Sequence, residues 1–510
     1  MAETSLNWTA MAEDAERLLK HWSPDDPGGS ILGFDADGIK FTASNGVENL
    51  SILTPFSPDT VVRFASVTKH VFCAFVLSYP DRIRLDDPLA KHLPELQPAL
   101  GAVTVARALS MTGGLPDVRE CLALHGLTTT SLSDAGPLYD YLARMDRLNF
   151  APGTEVSYSN TGYRLVETAM DRMGLRFNDF VQQRITQGVG QPMTAAEMWG
   201  DPVRGLVPGY YKTASGWQAG MQGMHLSSAG SLCGSATGMA HWLRASIAGE
   251  GPLAGLFETM SAPRTLADGR PTEYGLGLVW VTVDGKRLVG HGGGQPGFKT
   301  YFLVDPATRS GVVVTSNRDE ADTPGQARSV MAAGLGLTAP RPTKGGFAPE
   351  GLYVAETGTR WVELKAASLV HMGADEALYD DGQGGVMSLS GTAPIRLRRD
   401  GDALVGEIGL SPVRLVPAPT ATGPDTASLN GRWEAAQFGA AFDISDGKLT
   451  WGIGPQRQSL KLTALGNGRW QFNRPDAAST RRICLNLIAP GRLELAVART
   501  RMIEYRRVTG

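Results

Sequence analysis

The chain is poor in the residues that anchor disulfides and metals. It holds 4 cysteines in 510 residues (Cys73, Cys121, Cys233 and Cys484), none of them in a CxxC pair. That argues against a disulfide-framed scaffold and the common zinc motifs, and in a reducing cytoplasm the four are expected to stay thiols. The 8 histidines are scattered without an HExxH spacing, so no metal and no other cofactor is expected. Long hydrophobic runs are missing as well. None approaches the ~20 residues of a membrane-spanning helix. The first residues carry no basic stretch followed by an apolar one, so no secretory signal is read and a cytoplasmic location is the expectation. Charge of one sign is also absent: 48 Lys+Arg against 51 Asp+Glu give a formal net charge of −3. No basic excess exists to neutralise phosphates, which excludes nucleic acid as the main partner.

What remains is ordinary core-forming material, with 42% hydrophobic residues and a mean hydropathy of −0.12, in a chain long enough for several domains. Strand-like runs at 30–34 and 39–43 flank a turn at Asp37-Gly38. Helical spacing follows over 66–249, as in Val71, Phe72, Phe75 and Val76, or Met239, Trp242, Leu243 and Ile247. Strands return at 277–283, 287–290, 298–304 and 311–315. One sheet built from both ends with helices inserted predicts a layered domain over residues 1–337. Pro/Gly-rich linkers follow at 337–346 and 417–424. Each precedes a similar opening, Gly351-Leu352-Tyr353 and Gly431-Arg432-Trp433, and the two segments end alike at Arg414-Leu415-Val416 and Arg506-Arg507-Val508. This predicts a duplicated unit of short strands, two small antiparallel barrels over 347–418 and 426–510.

Three stretches carry chemistry. Phe64-Ala65-Ser66-Val67-Thr68-Lys69 is an SxxK motif opening an apolar helix. Residues three apart share a helix face, so the Lys69 amine can reach the Ser66 hydroxyl. A serine is a poor nucleophile without a base, and lysine serves as one when burial lowers its pKa. Tyr158-Ser159-Asn160 follows a Pro152-Gly153 turn and precedes a helix near Gly162. A phenol there can relay a proton, and the Asn160 amide can bond a substrate carbonyl. Gly290-His291-Gly292-Gly293-Gly294 lies at a strand edge, where glycines let backbone approach a ligand and present an amide to an oxyanion. Each piece alone also fits an ordinary cap, turn or hairpin.

Their order, with Arg84-Leu85-Asp86-Asp87-Pro88-Leu89 and Ser110-Met111-Thr112-Gly113-Gly114-Leu115-Pro116, resembles the penicillin-recognising serine hydrolases: class C β-lactamases, DD-peptidases and related esterases and amidases. The resemblance is nearest to the D-stereospecific aminopeptidases, which carry His-Xaa-Gly, as in His291-Gly292-Gly293, and two C-terminal β-barrels. It implies an α+β chain, a β-lactamase/penicillin-binding-type α/β sandwich with an all-helical insert followed by two small antiparallel barrels. It further implies Ser66 as acylated nucleophile, Lys69 and Tyr158 as the proton-handling pair, Asn160 and His291 as substrate-positioning groups, and backbone amides of Ser66 and Gly294 as oxyanion hole. A loop of the last barrel, around Pro475 and Asp476, would close the pocket, with Asp476 available to a substrate ammonium.

A histidine of pKa ~6.5 in place of lysine is largely neutral at pH 7–8, so recognition of a substrate carboxylate is expected to be weak. The expected partner is a small peptide or amino acid amide, with no nucleic acid and no membrane; a homodimer is compatible. Alternatives are a penicillin-binding-type peptide cyclase or acyltransferase, an esterase, and a catalytically silent ligand-binding protein.

Overall fold

Both ends of the first region meet in a single sheet. The computed structural model describes residues 6–418, 426–477 and 479–508; most of the second linker and Ala478 lie outside these. Strands β1 (Gly29–Phe34), β2 (Ile39–Asn45), β3 (Val279–Val283), β4 (Lys286–Gln295), β5 (Phe298–Asp305) and β6 (Ser310–Ser316) form a six-stranded sheet in the order β3-β4-β5-β6-β1-β2. Every neighbouring pair is antiparallel. Strands β1 and β6 are buried along their whole length, which requires cover on both faces.

Helices supply that cover. The main ones are α1 (Trp8–Leu19), α2 (Thr68–Leu77), α3 (Val118–Leu124), α4 (Thr161–Arg172), α5 (Ala236–Ala248) and α6 (Thr323–Leu335). Helices α1 and α6 pack against each other and the sheet, while α5 lies on β1 and β6. Helix α6 begins with Asp322 accepting the Gly325 N–H at 2.9 Å and stops at Gly336, whose φ of 66° suits a left-handed cap. Most of the remaining helices come from the segment between β2 and β3, as the apolar spacing predicts.

Two nearly closed nine-stranded antiparallel barrels follow. In each, the opening strand (Gly351–Ala355, then Gly431–Ala435) pairs with the last strand (Ser411–Pro417, then Thr500–Arg507). The strand order is the same in both, so the repeated openings and endings mark a repeated structure. The first barrel has its own apolar core around Tyr353, Leu369, Leu397 and Leu415. The second differs. Its core residues Trp433, Phe442, Trp451 and Tyr505 are continuous with the core of the first, sheet-and-helix domain. Trp451 packs on Gly126, where a Cβ would come within 2.7 Å of its Nε1.

The second barrel also grips helix α3 at both ends. At its start, Arg499 N–H donates to Glu120 at 2.7 Å and Asp117 N–H donates to the Arg499 carbonyl at 3.1 Å. At its end, the buried Arg474 guanidinium donates to the carbonyls of Ala123 and Leu127 at 3.0 and 2.9 Å. Arginine suits this place because its fork satisfies helix-end carbonyls and its charge opposes the negative end of the helix.

Candidate active site

The nucleophile candidate sits on a strained turn. Strand Val62–Arg63 leads into Ala65, whose φ of 49° is unusual for a residue with a side chain. The turn is held by Thr68, whose hydroxyl donates to the Ala65 carbonyl at 2.5 Å and accepts from Leu232 N–H at 3.1 Å. Two more non-glycine residues with positive φ, Met111 and Ser227, flank the same region. Met111 accepts the Ser157 N–H at 2.9 Å, and Ser227 lies two residues before the Ala229 carbonyl that binds Lys69. Strain gathered around one spot points to a functional site.

Helix α2 carries Lys69 one turn beyond Ser66. Lys69 Nζ is 3.1 Å from Ser66 Oγ, 2.9 Å from Asn160 Oδ1 and 2.7 Å from the Ala229 carbonyl. The lysine is fully buried, whereas Ser66 keeps contact with solvent. Burial drives the amine pKa well below the usual lysine range; Asp117 opposes this, and Arg499 and Arg119 add to it. A neutral amine donates two N–H groups, here to Asn160 and Ala229. Its lone pair is left for the Ser66 proton.

Asn160 is itself oriented from behind. Its Nδ2 and backbone N–H donate to Asp117 Oδ2 at 2.7 and 2.8 Å. Asp117 Oδ1 accepts the N–H groups of Arg119 and Glu120 and so caps α3. The expected bond from Asn160 to a substrate carbonyl is therefore not its main contact: the amide links Lys69 to Asp117.

Tyr158 lines the same cleft as Ser66 and lies under Lys69, whose Nζ is 4.9 Å from the ring centroid. Burial pushes the phenol up to about 12, partly offset by the neighbouring Ser66 and by Arg499 and Arg119. Arg499 stacks on the ring, its guanidinium carbon 4.8 Å from the centroid.

Strand β4 passes Ser66 with a free edge. Its pairing with β3 ends at Gly290, so from His291 to Gln295 only β5 is bonded to it. A Cβ on Gly293 would come within 2.1 Å of the Phe64 carbonyl and 3.1 Å of Ser66 N. Only glycine lets the strand approach this closely. Gly294 is exposed in the cleft.

His291 lines the cleft and is held from within the protein. Its Nδ1 faces the Gly292 carbonyl at 2.7 Å and its Nε2 faces the Tyr274 hydroxyl at 3.0 Å. Both ring nitrogens are engaged inside the protein. Burial, with Lys69 adding to it, pushes the imidazole down to about 3, so it is neutral for a stronger reason than its ordinary pKa.

The opening beside Ser66 is a cleft of about 550 Å³, lined by Tyr158, Asn160, His291 and β4 on one side and by both barrels on the other. The first barrel contributes Glu376 and the Leu389–Thr392 turn, the second Arg499. The 475–481 hairpin reaches a neighbouring cavity of about 230 Å³ beside Gly294 and Arg119, to which Asp476 contributes. Pro475 is exposed and lines neither cavity. The Asp476 carboxylate accepts from Thr129 N–H and Oγ1 at 2.8 and 2.9 Å and from Arg481 at 2.7 Å. It serves as a clamp to the helical insert, which corrects its expected availability to an ammonium. Sequence reasoning missed Asp117, Arg119, Glu376 and Arg499. An aspartate after Gly-Gly-Leu-Pro is a legible helix cap; the other three carry no local signal.

This fold and cleft have relatives. A family model described as Beta-lactamase matches residues 16–335, and the chain belongs to the β-lactamase family of hydrolases. A D-aminopeptidase of Cereibacter sphaeroides (strain KD131 / KCTC 12085) is 28% identical over 502 residues, covering 89% of this chain and 93% of that protein. Among solved structures, the octameric penicillin-binding protein homologue from Pyrococcus abyssi aligns over 98% of both chains with a TM-score of 0.54 at 16% identity. The D-amino acid amidase from Ochrobactrum anthropi SV3 aligns over 64% of this chain and 97% of its own, with a TM-score of 0.52 at 20% identity.

Proposed function

We propose that the chain is a serine hydrolase that removes the N-terminal residue of D-amino acid amides and short peptides through an acyl-enzyme on Ser66. One observation carries this reading: Ser66 Oγ, a buried Lys69 amine 3.1 Å away and the Tyr158 phenol meet at one opening. In the proposed cycle Ser66 Oγ bonds the scissile carbonyl carbon as its proton passes to Lys69 Nζ. The developing oxyanion is taken by the N–H groups of Ser66 and Gly294. The proton then reaches the leaving nitrogen by way of Tyr158 and the C–N bond breaks. Water repeats the sequence on the ester and restores Ser66. The D-aminopeptidase relative, matched over 89% of this chain, supports the choice of D-amino-terminal substrates.

Ammonia release from D- and L-alaninamide tests the stereochemical part. The D-enantiomer is expected to react at least about tenfold faster, and equal rates would overturn that part.

The state of Lys69 is tested without a titrating substrate, by labelling Ser66 with a neutral phosphonate across pH. Burial lowers the amine pKa, so its active neutral form is expected to persist to lower pH than for an ordinary lysine. Labelling should fall on the acid side and stay level on the alkaline side. A rate still rising near pH ~10.4, the ordinary lysine value, would mean that Lys69 is not the neutral base.

A further inference from the structure

Two arginines stand bare in the cleft. Arg119, on the first turn of α3, and Arg499, between the last two strands of the second barrel, both line the opening that holds Ser66 and Tyr158. Among the described residues neither guanidinium has a hydrogen bond or ion pair. The recorded bond of Arg119 is its backbone N–H to Asp117. Those of Arg499 are also backbone bonds, to Glu120, Asn149 and Asp117. Beyond these, the Arg499 guanidinium stacks on the Tyr158 ring and lies in the field of Glu120, Asp117 and Glu376, with no hydrogen bond to any of them.

The surrounding acids are otherwise engaged. Asp117 holds Asn160 and the α3 cap, Glu120 accepts the Arg499 N–H, and Asp476 binds Thr129 and Arg481. Glu376 lines the cleft but burial pushes its carboxyl up to about 7, which weakens it as a counter-ion. The other cations of the lining have partners: Lys299 pairs with Asp319 at 3.2 Å, and Arg328 bonds the Tyr379 hydroxyl at 3.3 Å. Neighbouring guanidinium groups repel, and a sheltered charge without a partner is costly. Two of them held in place beside a nucleophile suit an anion that arrives with the substrate, because the guanidinium fork matches a carboxylate.

The place of that anion follows from the proposed chemistry. Tyr158 delivers a proton to the leaving nitrogen, and Arg499 lies on the ring of that same tyrosine. In a dipeptide the leaving nitrogen carries an α-carbon, and the free carboxylate is bonded to that carbon. We infer that Arg119 and Arg499 form a carboxylate subsite on the leaving-group side, so that the chain prefers dipeptides with a D-residue at the amino end and a free carboxylate over neutral amides. This rests on the acyl-enzyme reading above. It reverses the expectation drawn from His291: the cations come from the helical insert and the last barrel, not from the glycine-rich strand.

The test compares kcat/KM for D-alanyl-glycine and D-alanyl-glycinamide. A charge-assisted contact predicts a preference of at least about tenfold for the free carboxylate. In Arg119→Gln and Arg499→Gln the ratio should fall toward one, chiefly through a higher KM for D-alanyl-glycine. A ratio near one in the unaltered protein, or one that neither variant changes, would overturn the subsite. Equal losses on both peptides in Arg499→Gln would assign that residue to Tyr158 and not to substrate. A preference for D-glutamic acid α-amide over D-alaninamide, in place of the dipeptide preference, would move the anion to the acyl side and likewise overturn it. Calorimetric binding of both peptides to Ser66→Ala protein separates the two claims. Tighter binding of the free carboxylate, lost on adding Arg119→Gln, upholds the subsite even if turnover fails; equal binding defeats it even if turnover succeeds.

Discussion

Replacing Lys69 by alanine should lower D-alaninamide turnover by about 10³-fold or more, the scale at which a serine loses its activating base. Lys69→Arg should fail as badly although it keeps a cation, because a guanidinium cannot be deprotonated to accept the Ser66 proton. The reasoning lies in the contacts of Nζ. Asn160 Oδ1 and the Ala229 carbonyl are both acceptors, so a neutral amine satisfies them and offers its lone pair to Ser66. Steady-state rates and phosphonate labelling followed by intact mass check this, with Ser66→Ala as the unlabelled reference and circular dichroism confirming the fold. An active Lys69→Arg protein would remove the amine from the role of base.

Asp117→Ala should reduce kcat by about 100-fold, the penalty for a small misplacement of reacting groups. It should also destabilise the protein by about 3 kcal/mol, combining a lost helix cap with buried charge-assisted hydrogen bonds. Asp117 does not line the cleft with Ser66, so the effect must pass through its neighbours. Oδ2 fixes Asn160 and through it the Lys69 amine, while Oδ1 fixes the start of α3 and hence Arg119. The expected signature is a fall in kcat and labelling rate larger than any rise in KM, with a lower Tm. A thermally destabilised variant of undiminished kcat would show that Asp117 serves the fold alone.

The proximity of Ser66 and Lys69 was legible because its logic is local. Ser66 and Lys69 are three apart on one helix, and their hydrogen-bonding distance follows from helical geometry. The glycines after His291 mark a strand that must run close to other backbone, and Gly293 does so against Phe64 and Ser66. The two linkers and matching openings foretold the barrels, whose opening strands occupy equivalent places.

What the sequence did not carry has the opposite cause. The His291 imidazole is neutral, as its ordinary pKa already implied, but the larger reason is burial, which no local pattern shows. Asp476 lies in a polar hairpin, yet its carboxylate turns to Thr129, far away in the chain. Arg499 reaches Tyr158 only because the last barrel docks on helix α3.

By itself, then, the sequence determined the pairing of Ser66 with Lys69, the sheet, the helical insert and the barrel repeat, since periodicity, turn chemistry and short spacings act between near neighbours. Only the tertiary structure decided which charges face the cleft. Contacts between residues hundreds of positions apart depend on how whole domains pack, and desolvation, which sets the protonation of Lys69, Tyr158 and His291, exists only once that packing has formed.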